Sequence, residues 1–107
     1  MGYRRKGTRV VVERDAVIHR QGRVTPCMVV DLSEEGVRVR AGSPVDIGEE
    51  LQISCGLTSR HSLKCQVQVT HTRSSEFGAR ITNISPEHRG HLREFIDDLI
   101  AMKVPRL

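Results

Sequence analysis

Residues 63–70 read LKCQVQVT: Leu63, Cys65, Val67 and Val69 alternate with Lys64, Gln66, Gln68 and Thr70. A strict period of two puts the apolar side chains on one face of an extended strand and the polar ones on the other. Such a strand needs neighbours that share a core on one side and meet water on the other. The rest of the chain supplies them. Upstream, Leu51, Ile53 and Cys55 alternate with Gln52 and Ser54, after a loop, AGSPVDIGEE, punctuated by Gly, Ser and Pro. Val37 and Val39 alternate with Arg38 and Arg40, which predicts a half-exposed strand entered through the turn LSEEG. Residues 24–31, VTPCMVVD, form another strand, and Pro26 places its start at an edge or bulge. Residues 9–20, RVVVERDAVIHR, are β-branched and lack Gly and Pro; the apolar pattern breaks near Glu13 to Asp15, which predicts a bulge. QGR is the tight turn between these two strands. Downstream, RSSEFG leads into a short last strand through Ala79 and Ile81.

The period then changes. Ser85 and Pro86 are a good N-cap and first helical residue, and Leu92, Phe95, Ile96, Leu99 and Ile100 recur at helical spacing. One amphipathic helix over residues 86–102 follows. Six short strands and a closing helix predict a mainly β protein, a small antiparallel barrel over residues 9–82 with the helix on one side or over one end. The apolar stripe could serve a partner, but with so few aromatics the barrel needs it as a lid. Burying its five side chains would contribute about 2 kcal/mol each.

The 107 residues are one domain's worth, 37% hydrophobic and 28% charged, as in a folded and soluble chain. Tyr3, Phe77 and Phe95 are all the aromatics. No apolar run reaches the roughly 20 residues that span a bilayer, and the N-terminus has no apolar signal region, so a cytoplasmic protein is expected. Cys27, Cys55 and Cys65 are odd in number and lack C-x-x-C spacing; they are expected to be reduced, mostly buried thiols.

The net charge of +4 is placed unevenly. Arg4, Arg5, Lys6 and Arg9 lie within the first nine residues without an acid, and the remainder balances 13 basic against 13 acidic residues. General nucleic-acid binding spreads cations over a broad face and wants aromatic platforms on the strands, where only Phe77 is available. The motifs of nucleophilic, zinc-dependent and phosphate-loop chemistry are missing, so no enzyme, cofactor or metal is expected. His88 and His91 lie three apart on the helix without a further ligand at metal spacing, and are expected to be solvated.

Two segments remain. In RRKGTR, residues 4–9, guanidinium groups at Arg4, Arg5 and Arg9 can hold an anion from several directions, since the planar fork binds phosphate or a purine edge bidentately. In DLSEEG, residues 31–36, Asp31 closes a strand and can accept hydrogen bonds from guanine N1–H and N2–H₂. Ser33 can donate to a phosphate or order the turn, and Gly36 is expected to supply an unusual dihedral there.

R-x-x-x-R (Arg5, Arg9) just before the first strand, followed by D-x-S-x-x-G (Asp31, Ser33, Gly36) at a strand–turn–strand junction, resembles the PilZ family. EFGARITNISPEHRGHLREFI, with Gly78, is similar to the family's last strand and helix entry. The resemblance covers essentially the whole chain and implies a six-stranded antiparallel PilZ-type β-barrel with a C-terminal α-helix. It implies a stand-alone receptor for the bacterial second messenger cyclic di-GMP, with residues 1–9 as a loose arm that closes over the barrel. Arg5 and Arg9 would contact guanine edges and phosphates, Asp31 a guanine Watson–Crick edge, and Ser33 the phosphate side, while Gly36 keeps the turn open. Arg4, just before the first motif, is associated in the family with an intercalated ligand pair. A downstream protein partner is expected. The alternative is a PilZ-like adaptor that does not bind the messenger.

Overall fold

The computed structural model describes residues 7–102. The alternating runs become six strands, β1 (Val10–Arg20), β2 (Arg23–Leu32), β3 (Gly36–Ala41), β4 (Glu50–Gly56), β5 (Ser62–Arg73) and β6 (Glu76–Ile84). They close into a barrel in the order β1-β2-β3-β6-β5-β4, and every neighbouring pair is antiparallel. β5 keeps the pattern of its sequence: Leu63, Cys65, Val67 and Val69 are buried and Lys64, Gln66 and Thr70 are exposed. Its polar ends, through Arg73, pair in register with β6, so only Ser74 and Ser75 are left to turn. For that reason the two strands are longer than hydrophobic alternation alone suggests.

Two irregularities shape the barrel where β1, β2 and β3 meet. In β1 the register jumps between Val11 and Arg14, around Glu13 at φ 54°, which is the expected bulge. Between β2 and β3 it jumps from Val29 to Asp31. This second bulge changes the phase of β2. Val29 and Leu32, three residues apart, both enter the core, and Asp31 is turned to the outer side between β1 and β3. Pro26 pairs with β1 but lies beyond the last β2–β3 pair, Cys27 with Ala41, so its missing N–H costs no ladder bond to β3.

The helix α1 (Pro86–Ala101) begins at Ser85, whose side chain accepts from the His88 N–H. It packs against β5 and β1. Leu92, Phe95 and Ile96 are buried, and Leu99 and Ile100 are partly covered against the same core. Arg14 lies 5.6 Å above the Phe95 ring, which ties the β1 bulge to the helix. The three cysteines are free, with Cys55 and Cys65 buried and Cys27 half-buried. Burial pushes the thiol of Cys27 up to about 11, that of Cys55 to about 11 and that of Cys65 to about 12.

Candidate functional site

The phase change in β2 leaves Asp31 only 1% exposed on the outside of the barrel, where an ionised carboxylate needs partners. Two arginines provide them. Val11 of β1 is opposite Asp31, which brings Arg9, two residues earlier, within reach; its Nη1 donates to Oδ1 at 2.7 Å. Arg38 of β3 is the direct cross-strand neighbour, with Nη2 2.7 Å from Oδ2. The second contact is an ion pair off the hydrogen-bond axis: Asp31 Oδ2 and Arg38 Nε have no aligned hydrogen-bond partner among the described residues. The charges continue along the sheet, with Arg38 Nε 3.8 Å from Glu76 Oε1 and Arg40 Nη2 3.1 Å from Glu76 Oε2.

Ser33 orders the turn. Its Oγ accepts from the N–H groups of Glu35 (3.2 Å) and Gly36 (3.1 Å), and its own N–H donates to the Gly36 carbonyl at 2.9 Å. Gly36 differs from the expectation of an unusual dihedral, since its φ is not positive. The constraint there is proximity: a Cβ at Gly36 would lie 2.7 Å from the Ala79 carbonyl oxygen on β6 and 3.6 Å from Arg9 Nη2. The turn is also fastened by Ile81 N–H to Glu35 O at 2.8 Å, and by buried Glu34, whose Oε1 accepts from Arg93 Nε on α1 at 3.3 Å.

Arg9, Ser33 and Gly36 therefore line one depression of about 180 Å³, whose far wall comes from Thr70 and His71 of β5 and Arg80 of β6. Those three were not singled out in the sequence. His71 lies over Gly78, where a Cβ would meet its Cε1 at 2.0 Å. A glycine inside a strand does signal a close approach, but its partner depends on the β5–β6 register, which shifts between Val69 and His71. Arg4, Arg5 and Lys6, and the expected looseness of the arm they belong to, lie outside the described residues. Arg9, which has no acid near it among the first nine residues, finds its counter-charge in Asp31.

A larger depression of about 470 Å³ lies between β1, β4, β5 and α1, and no motif residue lines it. His88 and His91 are not simply solvated. Their Nδ1 atoms lie 2.9 and 3.1 Å from the Ser62 carbonyl oxygen, so both rings help to hold α1 to β5. His61 Nε2 is 2.9 Å from Glu94 Oε1. Among the described residues no group of three or more His, Cys, Asp or Glu side chains could hold a metal ion. No described helix is long and apolar enough to cross a membrane.

The closed six-stranded antiparallel barrel with its closing helix is the fold of a PilZ domain. Residues 3–98 match the family model described as "PilZ domain", and the chain belongs to the PilZ family. Comparison with curated protein sequences gave no match. Among solved structures, the inhibitor of motility MotI/DgrA of Bacillus subtilis is similar at TM-score 0.78 and 15% identity, over 95% of this chain and 54% of that one. The PilZ domain of CeSA from a cellulose-synthesizing bacterium is similar at TM-score 0.65 and 10% identity, over 86% of this chain and 97% of that one. YcgR of Escherichia coli, in complex with c-di-GMP, is similar at TM-score 0.69 and 16% identity, over 92% of this chain and 47% of that one. The chain thus spans about half the length of MotI/DgrA and of YcgR.

Proposed function

We propose that the protein is a cytoplasmic receptor for cyclic di-GMP, which it binds at the Arg9–Asp31 surface, passing the event on to a protein partner. The observation that carries this reading is the 2.7 Å contact between Arg9 and Asp31. Two segments 22 residues apart in sequence meet beside one depression that presents Arg9, Arg80 and His71 to an anion. The chain's family, and the ligand held by the PilZ-fold protein YcgR, point to the same compound.

In this reading Arg9 and Arg5 take up phosphate oxygens and the Hoogsteen edge of guanine, for which the guanidinium fork is suited. Asp31 receives the N1–H and N2–H₂ donors of a guanine. Its oxygens face Arg9 and Arg38, so the base must replace one of them, and Arg9 is the one with its own place on the ligand. Ser33 and Gly36 hold the turn close to β6 and keep the depression open. The protein acts by binding, with no catalytic step. Arg4 would extend the site to a second, intercalated copy of the ligand.

Isothermal titration with cyclic di-GMP tests the proposal. Binding by the unsubstituted chain, with Arg9→Ala and Asp31→Ala each weakening it by at least about tenfold, is expected, since each loses a charge-assisted hydrogen bond. No heat at micromolar protein and moderate salt refutes it. A stoichiometry of two ligands per chain supports the pair, and one removes it.

A further inference from the structure

From the two contacts on the Asp31 carboxylate we infer that Arg38 is a positioning residue, the resident counter-ion that allows Arg9 to be handed to the ligand. The inference rests on the reading of this surface as a cyclic di-GMP site. A carboxylate that is 1% exposed cannot be left without a cation at small cost. If Arg9 were its sole partner, every movement of Arg9 toward a phosphate would strand Asp31. Guanine N–H groups would replace the hydrogen bond but not the charge.

The geometry divides the two duties. Arg9 occupies Oδ1 with an aligned bond of 2.7 Å, the bond that guanine donors would take over. Arg38 sits 2.7 Å from Oδ2, off axis, and supplies charge without using that oxygen's hydrogen-bonding directions well. Arg38 belongs to β3 and faces Asp31 directly across the ladder, so barrel pairing keeps it there. Arg9 precedes β1 and has no ladder pairing. Arg38 is built into the sheet, whereas Arg9 flanks the first β1 pair, Val10 with Leu32, and meets Asp31 with its side chain. Glu76, with Oε1 3.8 Å from Arg38 Nε, gives the Arg38 head a second acidic neighbour.

The test uses the full chain with Arg9→Ala, Arg38→Gln, Arg38→Lys and the double substitution Arg9→Ala/Arg38→Gln. Melting without added ligand should show strong non-additivity. Each single change lowers Tm by a few degrees because the other arginine remains, whereas the double change lowers it by more than about 10 °C or prevents folding. Additive, small losses overturn the sharing of the carboxylate. In titrations with cyclic di-GMP, Arg38→Gln should bind about tenfold more weakly although Arg9 is intact, and Arg38→Lys should recover most of the loss. Equal affinity of Arg38→Gln and the unsubstituted chain overturns the handover. If the unsubstituted chain itself gives no heat, the ligand reading fails, and the handover with it, while the melts still decide the sharing.

Discussion

Gly36 offers the sharpest link between one atom and the site. Replacing it with Ala places a methyl carbon 2.7 Å from the Ala79 carbonyl oxygen, a backbone atom of the paired strand, and 3.6 Å from Arg9 Nη2. Carbon and oxygen in ordinary contact are well beyond 3 Å apart, so β3 must move away from β6 locally. Overpacking of this kind costs roughly 1–3 kcal/mol. Loss of glycine's freedom in the unfolded chain returns about 0.4–1 kcal/mol. Near the middle of both ranges a net loss of about 1–2 kcal/mol remains. At roughly 2.1 cal/mol/K per residue, the unfolding entropy of 107 residues is about 0.22 kcal/mol/K, so Tm should fall by about 5–9 °C. Gly42→Ala is the control, since a Cβ there meets nothing within 4 Å, and it should leave Tm unchanged or slightly raised. Differential scanning calorimetry on both variants decides the matter. If Gly36→Ala melts with Gly42→Ala, the close approach of β3 to β6 is not what demands glycine in the turn.

Leu92→Ala removes a fully buried contact between α1 and the barrel and should cost about 2–5 kcal/mol in urea denaturation; a loss under 1 kcal/mol would mean the helix is not part of the core. The thiols supply a pH dependence. Burial raises all three thiol pKa values above the ordinary 9.0, to about 11 or 12, so between about pH 9 and 11 the unfolded chain gives up thiol protons that the folded chain keeps. Stability should therefore fall as pH rises through that window, and replacing all three cysteines with serine or alanine should flatten the slope there. At neutral pH a thiol reagent should label Cys65 far more slowly in the native protein than in denaturant, and equal rates would contradict its burial.

Much of this architecture follows from local rules. The alternation in β5 and β4, the break at Glu13 and the Ser85–Pro86 helix start each depend on residues within a few positions, and each appears where such rules put it. The ends of β5 and β6 do not, because the polar residues from Thr70 to Arg73 and at Glu76 are held in strands by ladder bonds to each other rather than by burial. The histidines of α1 show the same limit: spacing on the helix says nothing about the Ser62 carbonyl they meet.

For the candidate site, the chain's own order of residues determined that an arginine-rich start precedes a carboxylate at a strand end, because that is a matter of composition and spacing. Only the closed barrel decided what those groups do to one another. The bulge between Val29 and Asp31 turns the carboxylate outward, β1 pairing carries Arg9 to one of its oxygens and β3 pairing carries Arg38 to the other. His71 and Arg80 complete the depression from strands about forty residues farther along. Strand register is set by pairing between distant segments and by the bulges that interrupt it, and a shift of one residue would send each of these side chains to the opposite face.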